Sequence, residues 1–288
     1  MTMLSGTSLK SRLGWRPDIP DHRDYNMSHV EHLLHKTDVN ITERTPSLPS
    51  KVNLSQYCSP IENQGNLGSC TANAGVALLE YFQNRVHGKF IDGSRLFLYK
   101  VTRKLAGIKG DGGAHIRNTI GAMRLFGVPP EEYYPYDIEK FDQDPEAFCY
   151  AFAENYKAMS YFRIHGDTKE ELLSRIKHCL ASGLPSEFGF TVFNSIALAS
   201  ETAVIPFPTR KDKLIGGHAV VAVGYDDNLD TGNDKKGAIM IRNSWGDKWG
   251  DNGYGYLPYD YILYGLATDW WSILQQEWVD TGQFTFQE

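Results

Sequence analysis

From Ser69 to Gly88 the chain lacks a polar face. Ala72, Ala74, Val76, Ala77, Leu78, Leu79, Tyr81 and Phe82 are distributed around every side of a helix of this length. A surface helix backs its apolar stripe with polar residues, so one without that backing belongs inside a core. Ser69 suits the N-cap and Gly88 the stop. The rest of the fold therefore has to enclose this helix. Its neighbours in sequence are helical too. One helix is predicted over 117–126, ending at Gly127 before Pro129-Pro130, and another over 168–180, where Thr168 and Glu171 form a capping box and Gly183 closes the helix. Beyond it the pattern changes. Residues 218–225 and 238–241 are β-branched runs, and 253–257 alternates Gly with Tyr and Leu. Helices first and strands second indicate an α+β architecture with a helical lobe and a β lobe, rather than a doubly wound sheet. There is no internal repeat.

Residues 1–46 stand apart. Pro17-Asp18-Ile19-Pro20-Asp21 and Thr45-Pro46 break regular structure, and apolar periodicity is weak outside Val30, Leu33 and Leu34. This stretch reads as an N-terminal extension or propeptide, with 47–288 as the main domain. It holds His22, His29, His32 and His35, the last three at every third position, a pattern suited to a solvated face or to a pH-sensitive latch. The 288-residue length is ample for a full core, and a net charge of -6 without a basic run argues against nucleic acid. No apolar stretch is long enough to span a membrane, and residues 1–16 lack the apolar core of a signal peptide. Four cysteines, Cys58, Cys70, Cys149 and Cys179, fall short of a disulfide framework. If Cys70 is a catalytic thiol, the other three leave room for one bridge at most.

Three short segments carry chemistry: Gln64-Gly65-Asn66-Leu67-Gly68-Ser69-Cys70, Gly216-Gly217-His218-Ala219-Val220, and Arg242-Asn243-Ser244-Trp245-Gly246. Cys70 opens the buried helix, where the partial positive charge of a helix N-terminus favours the thiolate, the reactive form of cysteine. Gly65 and Gly68 clear space in front of it. His218 follows a glycine pair at the start of a strand, and Asn243 lies near the end of the next one. Antiparallel pairing of these strands would set Asn243 beside His218, where an amide can hold one ring nitrogen and leave the other for the thiol. Singly, each residue is as readily a core cysteine, a core histidine or a turn. Together they form a nucleophile, a base and an orienting group.

In this order the segments resemble the papain family of cysteine peptidases, whose catalytic Cys is followed by His and Asn roughly 130–150 residues on. Here His218 follows Cys70 by 148 positions and Asn243 by 173, the charged stretch 226–236 accounting for the excess. The resemblance spans most of 47–270. Leu48-Pro49-Ser50-Lys51-Val52 looks like the start of the mature core, Gly112-Gly113 like the pair that binds an extended substrate backbone, and Gly127-Val128 with Tyr134-Pro135-Tyr136 like a further family stretch. Trp245 and Trp249 match the tryptophans near the triad Asn. The resemblance implies a two-lobed fold with the site between lobes, and a thioester mechanism. In it Cys70 attacks, His218 transfers the proton, Asn243 fixes the imidazole, Gln64 and the Cys70 amide hold the oxyanion, and Trp245 shields the His–Asn bond. Gly112, Gly113, Gly217, Trp245 and Asp269 would contact a polypeptide substrate. A zymogen, a monomer and secretion are likewise expected from the family, with no cofactor or metal.

Departures mark a divergent, bacterial branch. Leu67 replaces a cysteine that would form a nearby disulfide, Thr71 replaces the aromatic after the nucleophile, and 1–46 is shorter than the usual propeptide. Aligning 264–269 without gaps sets Asp269 at the bottom of the pocket for P2, the second residue before the scissile bond, where it would favour Lys or Arg. The acidic loop from Asp226 lacks the Gly and Glu of a calcium-binding EF-hand, carrying Thr231 and Gly237 there instead. No cysteine–histidine spacing suits zinc. Two other readings of a Cys–His core are an acyltransferase or transglutaminase-like enzyme, which usually carries Asp as third member, and a binding module that has lost its chemistry. Asn243 and Gln64 weigh against the first, and the presence of Cys70, His218 and Gln64 against the second.

Overall fold

The computed structural model describes residues 13–26, 48–232 and 234–276. His29, His32, His35, Val30, Leu33 and Leu34 lie outside them, while His22 is exposed in a turn. The buried helix anticipated from Ser69 is α1 (Cys70–His87), ended by Gly88 in the left-handed conformation at φ 67°. Around it lie α2 (Arg95–Leu105) and α3 (Ile116–Leu125) on one side, and the sheet on the other. This sandwiching explains the absent polar face. Leu78 is fully buried, and truncating such a leucine to alanine typically costs about 2–5 kcal/mol. The short α4 (Ala147–Ala153) precedes α5 (Lys169–Ala181), capped by Thr168, with the reciprocal bond of the capping box displaced one residue to Asp167. The Thr168 side chain accepts from the Glu171 N–H at 3.1 Å, and the Glu171 carboxylate accepts from the Asp167 N–H at 2.7 Å.

The strands are β1 (Lys51–Asn53), β2 (Ala158–Ile164), β3 (Ser186–Phe193), β4 (Leu214–Gly232), β5 (Lys235–Arg242), β6 (Tyr254–Pro258) and β7 (Ala267–Gln276). They form one seven-stranded sheet in the order β2-β7-β3-β4-β5-β6, with β1 on β4, all pairs antiparallel. The class is α+β, a helical layer against an antiparallel sheet. Strand alternation sorts the centre of the sheet. Phe188 stacks on Trp270 at 3.8 Å on one face, whereas Glu187, Gly189 and Thr191 point to the other, the face that meets α1 and residues 13–18. Between the pairs Glu187↔Trp271 and Gly189↔Thr268 the ladder slips by one residue. The slip falls at Asp269, whose φ of 55° is a left-handed value that Asp tolerates better than most residues.

Candidate active site

Cys70, His218, Asn243 and Gln64 converge where α1 meets β4 and β5. Tyr136 braces the loop before Cys70: its hydroxyl lies 2.5 Å from Ser69 Oγ and donates to the Gln64 carbonyl at 3.0 Å. Asp111 holds the same loop from the glycine-pair side, accepting from the Gly68 N–H at 3.0 Å and from Tyr99 Oη at 2.5 Å. Tyr99 Oη in turn accepts from the Gly113 N–H at 3.2 Å. Sequence reasoning missed Asp111 and Tyr99, although Asp111 directly precedes the glycine pair it had singled out.

His218 and Asn243 sit on neighbouring strands and are both buried. His218 Nε2 lies 2.8 Å from Asn243 Oδ1. That oxygen also accepts from the Ser244 N–H at 2.8 Å, which fixes the amide with its oxygen toward the ring. Nε2 is therefore the donor, and Nδ1 is the nitrogen left for proton transfer. The Trp245 ring stacks on the imidazole at 4.6 Å and is itself backed edge-on by Trp249. Ser244, also missed from sequence, donates its hydroxyl to Gln64 Oε1 at 2.6 Å, while Gln64 Nε2 donates to the Leu67 carbonyl at 2.8 Å. These bonds set the Gln64 amide in a single orientation beside the start of α1.

The extension crosses this site. The Trp15 N–H donates to the Gly217 carbonyl at 3.2 Å, the Ala114 N–H donates to the Gly14 carbonyl at 2.8 Å, and the Arg16 N–H donates to the Ala114 carbonyl at 2.9 Å. The glycine pair itself makes none of these bonds; its part is steric. A Cβ on Gly113 would lie 2.1 Å from the Gly14 oxygen, and one on Gly14 would lie 1.8 Å from the Gly68 oxygen. The Trp15 indole fills a slot between strands. A Cβ on Gly189 would come within 1.9 Å of the ring, and one on Gly217 within 2.6 Å. Farther on, Arg117 pairs with Asp18 and Asp24, and Arg163 with Asp24 and Asp269. Residues 13–26 thus form a strap pinned by backbone bonds at the cleft and ion pairs beyond it.

The strap reverses one sequence expectation. Cys70 is fully buried, and burial pushes its thiol up to about 11, against the N–H groups of Ala219, Gly14 and Thr71 that bond the sulfur. The helix N-terminus does not yield a low-pKa thiol while the strap is in place. Asp269 lies beside Trp15, and its carboxylate is engaged. It accepts from Arg163 at 2.6 Å and from the Asp18 N–H at 2.7 Å. Cys58, Cys70, Cys149 and Cys179 are all free thiols, so the bridge that the three non-catalytic cysteines allowed is not formed.

This constellation, a cysteine at a helix start facing a His–Asn pair across a cleft between helices and an antiparallel sheet, defines a thiol hydrolase of papain-like architecture. Residues 48–271 match the model of the papain family cysteine proteases, and the chain belongs to that family. It is a cysteine peptidase. It is 37% identical to xylellain, a cysteine protease from Xylella fastidiosa, whose crystal structure superposes with a TM-score of 0.74 over 92% of this chain and 96% of that one. An uncharacterized peptidase C1-like protein of Acanthamoeba polyphaga mimivirus is 35% identical, the match covering 93% of this chain and 88% of the viral protein. Cathepsin K of Gallus gallus is 28% identical across 69% of this chain, which spans only 54% of the cathepsin's length.

Proposed function

We propose that Cys70 is the nucleophile of peptide-bond hydrolysis, that His218 is its base, and that residues 13–18 hold the enzyme shut. The observation that carries this reading is the single orientation of the imidazole, with Nε2 on Asn243 Oδ1 at 2.8 Å beneath Trp245, while the N–H of the next residue, Ala219, bonds the Cys70 sulfur. His218 takes the thiol proton through Nδ1. The thiolate adds to the scissile carbonyl carbon, and its oxygen gathers charge opposite the Gln64 amide and the Cys70 N–H. His218 returns the proton to the departing amine, and the resulting thioester is hydrolysed by water that His218 deprotonates. Losing one oxyanion donor typically costs about 10²–10³ in rate.

The strap covers the nucleophile. The Cys70 sulfur receives the Gly14 N–H. The following carbonyl, of Gly14, is held by the Ala114 N–H. Residues 1–46 on this reading are an inhibitory extension to a peptidase domain that acts on polypeptides. The test is hydrolysis of a fluorogenic peptide library under reducing conditions, in full-length protein and in Trp15→Ala, each with and without Cys70→Ala. Turnover that Trp15→Ala raises and Cys70→Ala abolishes supports the assignment, whereas turnover surviving Cys70→Ala refutes it.

A further inference from the structure

Glu187 has no role in the chemistry above, and its surroundings are unusual for an acid. It lies on the central strand β3, is completely buried, and neither carboxyl oxygen has a hydrogen-bond partner among the described residues. A buried acid without a partner carries a desolvation penalty that a structural role does not explain. Its strand position sets its direction. Glu187 is two residues from Gly189 and so shares the face on which the Trp15 indole lies. Its cross-strand partners are Val221 on β4 and Trp271 on β7. Arg163 and Arg117 lie over the ring of its partner Trp271 at 5.5 and 6.0 Å, and both pair with Asp18, Asp24 or Asp269. The acids that Glu187 feels are Asp18 on the strap and the Cys70 thiol, and burial holds its carboxyl well above the usual range.

The slot beside it is shaped by absence. Gly189 and Gly217 leave flat backbone where other residues would place side chains, and the planar indole of Trp15 lies against both. When the strap leaves, what remains is a slot floored by Gly189 and Gly217, with two buried acids near it: Glu187, two positions along the same face of β3 and without a hydrogen-bond partner among the described residues, and Asp269, already paired with Arg163. We infer that Glu187 is a specificity-determining residue, and that the substrate side chain replacing the Trp15 indole is arginine, its planar guanidinium lying between the glycines and its fork meeting the Glu187 carboxylate. Arginine suits the site better than lysine because it is flat and donates two parallel bonds to a carboxylate. The inference rests on the peptidase reading of Cys70. It moves the basic preference anticipated from Asp269 to an acid that pairs with no cation among the described residues.

The experiment compares kcat/KM for fluorogenic peptides identical except for Arg, Lys, Phe or Leu at P2, using full-length Trp15→Ala with and without Glu187→Gln. Arg should lead the series, and Glu187→Gln should lower the Arg-to-Phe ratio by about 10- to 100-fold, the range expected for losing a charged hydrogen-bonded partner. A purely structural glutamate would lower all four substrates together and leave the ratio unchanged. Glu187→Asp, which keeps the charge on a shorter arm, should retain Arg as the leading residue. Gly189→Val, which fills the slot, should abolish the Arg preference. Cleavage of the Phe and Leu peptides with no lead for Arg, or an Arg lead that survives Glu187→Gln, overturns the assignment. Because the Phe and Leu peptides report the thiol chemistry without needing Glu187, their turnover separates failure here from failure of the catalytic reading.

Discussion

Replacing Trp15 with alanine should open the site. The indole is only 7% exposed, wedged between two glycines where the strap crosses the cleft. An aromatic side chain of this kind buries about 150–250 Å², which at about 25 cal/mol/Å² is roughly 4–6 kcal/mol as an upper bound. Because water can refill an open cleft, about 3 kcal/mol is a fair share of that loss for the strap, and at 1.4 kcal/mol per tenfold the uncovered fraction rises about 100-fold. The assay is the rate at which iodoacetamide labels Cys70, mapped by mass spectrometry. The other free thiols serve as internal controls. Cys179 is fully buried in α5 and Cys58 is half-buried, so general loosening would label them in parallel with Cys70. The pH profile gives a second readout. With the strap on, the thiol ionises only near 11 because it is buried, so wild-type labelling should still be rising above pH 9. In Trp15→Ala the profile should move to lower pH as solvent and the helix N-terminus take over. A Cys70 rate within threefold of wild type, or equal acceleration at Cys179, would show that the strap does not control the site.

Other perturbations probe separate links. Gly14→Ala puts a methyl into the Gly68 carbonyl and should derepress turnover while leaving the cleft's own side chains unchanged; unchanged turnover would mean that the strap has room to shift. Asn243→Ala frees the imidazole and should lower kcat/KM roughly 10- to 100-fold, part of the 10²–10⁴ supplied by acid–base catalysis; an unaltered pH–rate profile with full activity would remove Asn243 from the mechanism. The latch should resist mild acid. Despite its burial, Asp24 is held below its ordinary 3.8 by hydrogen bonds from Arg117 and Arg163, so its contribution is complete above that value and fades only as the pH falls through the lowered one. Hydrogen-exchange protection of the Trp15 and Arg16 amides should therefore stay level from pH 8 to about pH 4. A drop between pH 6 and 7 would show that Asp24 is not the group that sets the pH response of the latch.

What could be read from the sequence follows from what decides each element locally. The buried helix was legible because Ala, Val and Leu on all sides admit one environment, and its ends were marked by Ser69 and Gly88. The His218–Asn243 contact was legible because two β-branched runs joined by a charged turn pair antiparallel, which brings their ends together. Strands β2, β3 and β7 were not anticipated. Gly189 dilutes the apolar pattern of β3, and the slip at Asp269 breaks the alternation of β7. The Gly189 and Asp269 irregularities are the places where the sheet accommodates the strap, and a site feature hides from periodicity for that reason. Trp15 was passed over for the converse cause. Its segment has no preferred structure of its own, because its hydrogen bonds go to Ala114 and Gly217 and its ion pairs to Arg117 and Arg163, all distant in sequence. A lone tryptophan among prolines and aspartates is costly to leave in water, and that imbalance is the one signal that pointed to a cleft elsewhere in the chain. Glu187 is the mirror image of Trp15, a charge where a strand should be apolar, and the two mismatches meet on one face of the sheet.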